Sequence, residues 1–257
     1  MNNVTDTTAI LEPAGAPRTV DAKRIIVVGM GRSGTSFLTE FLAGCGVYVD
    51  EVSDKFESAA ARGIDDALLE QVYGAKHGLP YGKLPDQEID VTPEWQAKAD
   101  AFVREMDERW QAQDGAKYWA FKDPRATVLH KMWLHHFDVV VGIYRRPDQV
   151  AESYTSKRWV GWWRPRRRAL DYWMRFNQSL LEIERQVRGV KPFYLLDYNG
   201  DVPAQGLVLA EKLGLEVPAA ALDLYKPERN HFQTPKPVTD ARALAMYEQL
   251  KQLRNLT

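Results

Sequence analysis

The sequence predicts an α/β domain of the P-loop-like kind, three layers deep, with a central, mainly parallel sheet flanked by helices. Two observations predict it. Short apolar runs rich in branched and aromatic residues alternate with longer stretches of helical periodicity, and strands that alternate with helices assemble into a parallel sheet covered on both faces. The first of those runs, RIIVVGM (24–30), passes straight into GMGRSGTSFL (29–38), a glycine-rich turn of the kind that aims backbone amides and a helix N-terminus at an anion.

The opening residues, MNNVTDTTAILEPAGAPRTV, are small and polar. They lack the basic start and apolar stretch of a signal peptide, and are read as a flexible tail, 1–20, ahead of a single domain, 21–257. Strands are predicted at RIIVVGM (24–30), KYWAFK (117–122), DVVVGIYRR (138–146) and PFYLLD (192–197), each short and closed by a polar turn. Between the first two, helices are expected near 63–74 and 93–112. The second opens on Thr92-Pro93-Glu94, a capping residue followed by proline at the first helical position. After the third strand, Leu170, Trp173, Met174, Leu181 and Val187 mark one face of a long helix, and a last helix is expected over 238–254.

Whole-chain properties narrow the function classes. A hydrophobic content of 45% suffices for a sizeable core, and a net charge of −1 offers no global basic field for nucleic acid, so any anion site has to be local. Cys45 is the only cysteine, which fits a reducing compartment; with no run of membrane-spanning length, a soluble, cytoplasmic protein is predicted. The five histidines, 77, 130, 135, 136 and 231, show no zinc-binding spacing. Each reads as a surface or capping residue, and no metal site is expected.

The chemistry begins in the glycine turn. In the loop GxxxxGK[ST], a lysine directly after the second glycine reaches the outer phosphates, and the next hydroxyl takes magnesium. Gly29 and Gly34 keep the separation, but Thr35 stands at the lysine position and Arg32 is the loop's only cation. That argues for an anion other than magnesium-bound ATP. In such sheets ligands gather beyond the carboxyl ends of the strands. Lys122-Asp123-Pro124-Arg125 follows the second strand, Arg145-Arg146-Pro147-Asp148 and then Ser153 follow the third, and Asp197-Tyr198-Asn199-Gly200 follows the fourth. Three strand ends therefore present cations to one edge of the sheet.

These residues resemble the sulfotransferases that use 3′-phosphoadenosine-5′-phosphosulfate, PAPS. Arg32, Ser33, Gly34, Thr35, Ser36 and Phe37 match that family's first loop in order, and Arg145, Val150 and Ser153 fall on the spacing of its second signature. Lys122-Asp123-Pro124-Arg125 looks like a segment of the bacterial carbohydrate and small-molecule enzymes. Phe56-Glu57 followed by Ile64-Asp65-Asp66-Ala67-Leu68-Leu69 resembles their Tyr/Phe-Glu and Leu-Asn-Asp-x-Leu-Leu pattern. The likeness touches roughly residues 24 to 230, with 75–115 matching nothing nameable.

The resemblance implies a metal-independent, in-line transfer of a sulfuryl group from PAPS to a hydroxyl, with an amine as second choice, of a small molecule or carbohydrate, leaving 3′,5′-adenosine bisphosphate, PAP. It implies that Gly31, Arg32, Ser33, Gly34, Thr35, Ser36 and Phe37 cradle the 5′-phosphosulfate, and that Arg145 and Ser153 bind the 3′-phosphate. Arg32 and Lys122 would stabilise the leaving group. Glu57 would serve as the base, with Asp50, Glu51, Asp54, Asp123 and His77 as substitutes. Tyr198 is an adenine contact or ordinary core packing.

Plainer readings stand beside these. Asp123 before Pro124 is a good helix cap, and capping is the stronger expectation for it. Ser153 alone is an ordinary helix residue, and Arg145 a surface cation. The run KRWVGWWRPRRR (157–168) is read as a mobile lid, with Trp159, Trp162 and Trp163 partly buried. Two other functions remain open: a P-loop kinase of a small metabolite, and a non-catalytic nucleotide- or glycan-binding module.

Overall fold

The computed structural model describes residues 23–49, 56–74, 89–113, 115–155, 166–225 and 235–256. The predicted tail and part of the tryptophan-rich run (157–165) lie outside them. Five strands, β1 (Lys23–Val28), β2 (Tyr48–Val49), β3 (Tyr118–Lys122), β4 (Val139–Tyr144) and β5 (Phe193–Asp197), form one sheet in the order β2-β3-β1-β4-β5. Every pairing is parallel. The predicted strands are all present, trimmed at the ends where polar turns begin. β2 was not predicted, since two edge residues leave no periodicity to read.

Burial follows the pleat. Ile25 and Val27 point into one core with Leu38 and Leu42 of α1 (Thr35–Gly44) and Val202 and Leu209 of α7 (Val202–Leu213). Ile26 and Val28 point into the other, which is larger. There they meet α2 (Ala59–Tyr73), α3 (Pro93–Gln111), α6 (Arg166–Val187) and α9 (Ala241–Leu253). Because both faces are covered, β3 and β4 are buried at every residue, and their sequences read as continuous apolar runs without alternation. The larger core is aromatic: Phe121 lies 4.9 Å from Trp133 and 5.6 Å from Phe102, centroid to centroid.

The helices bear out the predicted periodicity. α2 opens four residues earlier than expected because Ser58 caps it, accepting from the Ala61 amide. On α6, Trp173, Leu181 and Val187 are buried, while Leu170 and Met174 pack at the margin of the same face. β1 lies at the sheet's centre, and the chain crosses it between β3 and β4, so the loops after β1, β3 and β4 diverge around one crevice. α5 (Pro147–Thr155) follows β4 on the same edge, and the remaining helices, α4 (His130–Trp133) and α8 (Ala219–Leu222), are single turns.

Candidate functional site

The turn after β1 is held from both sides. The Gly29 amide donates to Thr127 Oγ1 at 2.8 Å, and the Thr127 hydroxyl lies 3.2 Å from the Gly29 carbonyl, tying the loop to the 3₁₀ segment Pro124–Thr127 that follows β3. Gly34, at φ +100°, caps α1, and a Cβ there would stand 2.3 Å from the Tyr198 ring. A side chain is excluded on both counts. Arg32 adopts φ +75°, a conformation that costs a non-glycine residue about 1 kcal/mol or more. Ser33 is fully buried, and its hydroxyl has no partner among the described protein groups.

Two cations meet on the β4 side. Arg32 Nε donates to Ser153 Oγ at 2.9 Å, and Arg145 Nη1 donates to the Arg32 carbonyl at 3.2 Å. The Arg145 guanidinium lies 4.8 Å from the centroid of the Tyr198 ring, and its Nε donates to Gln149 Oε1 at 2.8 Å. The same oxygen accepts from Asn199 Nδ2 at 2.8 Å, and Asn199 Oδ1 accepts from the Arg146 amide. Burial pulls the Arg145 pKa below its usual range, and nearby Arg32 adds to that pull. An anion placed beside them would oppose both effects.

The β3 side holds a denser ionic cluster. Lys122 is almost wholly buried, 3.4 Å from Ser36 Oγ and 3.6 Å from Glu57 Oε1. Burial lowers its pKa, while Glu57 and Asp123 work against that shift. Glu57 also lies 3.6 Å from Arg62 and 3.8 Å from Arg125. Arg125 pairs with Asp123 at 2.8 Å and Asp66 at 2.5 Å. Burial disfavours its charge, but Asp123, Asp66 and Glu57 outweigh that and hold its pKa above the usual range. Phe56, next to Glu57, joins Arg32 as the second non-glycine residue at positive φ among those described, at +56°.

Behind this cluster lies a buried acid pair. Asp65 is fully buried and accepts from Trp133 Nε1 at 2.9 Å. Burial first, and Asp123 second, push its carboxyl well above the usual range. Asp123 is raised by burial too, and it accepts from the Arg125 amide at 2.8 Å. It therefore caps the 3₁₀ segment, as expected.

The sheet thus gathers Arg32, Lys122, Arg145, Ser36 and Ser153 at one edge, with Glu57 brought to Lys122. Tyr198 packs in the core beside Ile143 and under Arg145. Phe37 turns to Phe41 and Tyr225 at 6.2 and 5.5 Å, so its ring serves packing. Gly31 is open enough that a Cβ would only touch the Tyr154 hydroxyl, at 3.3 Å. Thr35 is buried in the first turn of α1. Asp50, Glu51, Asp54, His77, Trp159, Trp162 and Trp163 lie outside the described residues. The sequence reading missed Thr127 and Gln149, which position the others, and named Asn199 only within the polar segment after the last predicted strand. Neither Thr127 nor Gln149 carried a local signal, because Arg145 precedes α5 and its spacing of four to Gln149 is not that of a helical pair.

No protein-family model matches the chain, and no curated protein matches it. Solved structures do. The sulfotransferase domain of the Synechococcus PCC 7002 olefin synthase superposes with a TM-score of 0.54 at 18% identity, covering 93% of this chain and 98% of that one. Sulfotransferase STF1 from Mycobacterium tuberculosis H37Rv gives a TM-score of 0.41 at 16% identity over 90% of this chain and 76% of that one. On the first of these, the chain is built on the fold of a sulfotransferase domain.

Proposed function

We propose that the chain is a sulfotransferase that takes a sulfuryl group from PAPS and passes it to a hydroxyl of a small molecule or carbohydrate. One observation carries the reading: cations from three separate strand ends meet at one edge around a loop whose buried Ser33 hydroxyl has no protein partner among the described residues. The residues fit a ligand with two anionic ends. The amides of the loop, Arg32 and Lys122 would hold the 5′-phosphosulfate, and Arg145 with Ser153 the 3′-phosphate, a task suited to the planar guanidinium fork.

When bound, PAPS supplies a sulfuryl group already joined to a phosphate leaving group. Arg32 and Lys122 would favour the negative charge that grows on that phosphate, and such donors act most strongly when fixed in place beforehand. Lys122 meets this condition through burial and its contacts with Ser36 and Glu57. Glu57 would take the acceptor's proton on its carboxylate. The backbone at both Arg32 and Phe56 is at positive φ, and strain of that kind concentrates at functional sites.

The test is ligand-induced stabilisation. PAP without magnesium should stabilise the protein by about 2.7 kcal/mol at a hundredfold excess over its Kd, and AMP or Mg-ATP far less at equal concentration. Arg145→Ala should remove most of the preference for PAP over AMP and leave AMP binding nearly unchanged. Equal losses for both nucleotides would refute the assignment of the 3′-phosphate, and stabilisation by Mg-ATP alone would favour a kinase.

A further inference from the structure

At the opposite edge of the sheet, four polar side chains converge. Gln96 and Asp100 sit one turn apart on α3 and share a face; His135 and His136 lie in the 3₁₀ turn Leu134–His136 just before β4. The Gln96 amide nitrogen is 3.0 Å from His135 Nε2, 3.1 Å from His136 Nε2 and 3.0 Å from Asp100 Oδ1. It is also 3.4 Å from the Met132 carbonyl. His136 Nε2 and Asp100 Oδ1 are 3.1 Å apart.

Hydrogen bonding does not account for this arrangement. An amide nitrogen carries two hydrogens, and here four groups crowd around it. Turning the amide over puts its oxygen against the Asp100 carboxylate and the Met132 carbonyl. Neither orientation gives each contact a donor and an acceptor.

The geometry points to a divalent metal site of the zinc class, ligated by His135 Nε2, His136 Nε2, Asp100 and, with its amide turned, the Gln96 oxygen. Tetrahedral ligands at about 2.0–2.1 Å from zinc stand about 3.3 Å apart. The separations of 3.0 to 3.1 Å fall close to that, and the ligand atoms of Asp100, His135 and His136 all lie within 4.8 Å of one another. Two imidazoles with oxygen ligands suit zinc and its first-row neighbours rather than magnesium or calcium.

The turn is also pinned from behind through its backbone carbonyls. Lys191 Nζ donates to the Leu134 and Phe137 carbonyls at 2.8 and 2.6 Å, and Arg24 Nη1 to the His136 carbonyl at 3.1 Å. His135 is exposed and Asp100 partly so, so a cation has a path in. β4 separates this site from Arg145 by its whole length, about 20 Å. The metal would clamp α3 to the start of β4 and take no part in chemistry at the other edge, so this inference is independent of the sulfotransferase reading.

The experiment uses the full chain free of any affinity tag and stripped with chelator. Calorimetric titration with ZnCl₂ should show one ion per chain and a rise in melting temperature, with Mg²⁺ giving neither. Co²⁺ should develop the intense visible absorption of a tetrahedral complex, a readout that needs no variant. Asp100→Asn and His136→Gln should each weaken zinc binding at least about tenfold. PAP-induced stabilisation should be the same with and without zinc. Absence of stoichiometric binding, a weak octahedral Co²⁺ spectrum, or affinity unchanged in both variants would overturn the proposal.

Discussion

At the residue scale, Glu57 is the most consequential side chain. Its carboxylate lies 3.6 to 3.8 Å from Lys122, Arg62 and Arg125, and its side chain is 12% exposed, so it borders the crevice without being lost in the core. Glu57→Gln keeps the shape and removes the basicity. In a PAPS turnover assay it should cut kcat by about 10²- to 10⁴-fold, the range for a lost general base, with PAP binding intact. Near-normal turnover would clear Glu57 of the role and pass it to another carboxylate. The sequence carried Glu57 only as part of a resemblance; its approach to Lys122 is a matter of how α2 packs beside the 3₁₀ segment after β3, which no local pattern encodes.

At the scale of elements, the strand-to-helix turn does most of the positioning. Gly34 lets α1 start against the Tyr198 ring, and that ring in turn lies under Arg145. Gly34→Ala introduces a Cβ at φ +100° with the ring 2.3 Å away. The expected cost is about 1–3 kcal/mol from strain and overpacking, read by urea unfolding. PAP affinity should fall as well, because displacing Tyr198 displaces Arg145. A variant that unfolds earlier yet binds PAP normally would separate the loop's conformation from the nucleotide site. This turn was legible in the sequence, since three glycines between an apolar run and a helix permit the positive-φ backbone such a turn uses.

Across the whole molecule, the buried acids make stability depend on pH. Asp65 holds its proton more tightly in the folded chain than in the unfolded one, as burial and Asp123 both favour the neutral form. Such a group contributes stability below its unfolded pKa of about 3.9, and the contribution is lost as pH rises toward the folded value. Asp65→Asn removes the titration and keeps an oxygen for Trp133. The variant should therefore gain on the wild type as pH is raised from about 4 to about 8. Urea unfolding at both pH values measures it, and a stability difference that stays constant would show that Asp65 does not titrate in this range. Among the described residues no helix is long and apolar enough to cross a membrane.

The order of four of the five strands with helices between them, the phosphate-type turn without its lysine, and cations at three strand ends were present in the sequence. They could be read because apolar periodicity and glycine are local signals. What the sequence did not contain was adjacency across the chain. Thr127 reaches Gly29 over 98 positions and Arg32 reaches Ser153 over 121. Glu57 meets Lys122, and His135 and His136 meet Gln96 and Asp100, through the packing of separate elements. The parallel sheet brings the groups of the crevice together because parallel strands put all their carboxyl ends at one edge, whereas the histidine cluster forms at the opposite edge, where α3 packs beside the turn before β4.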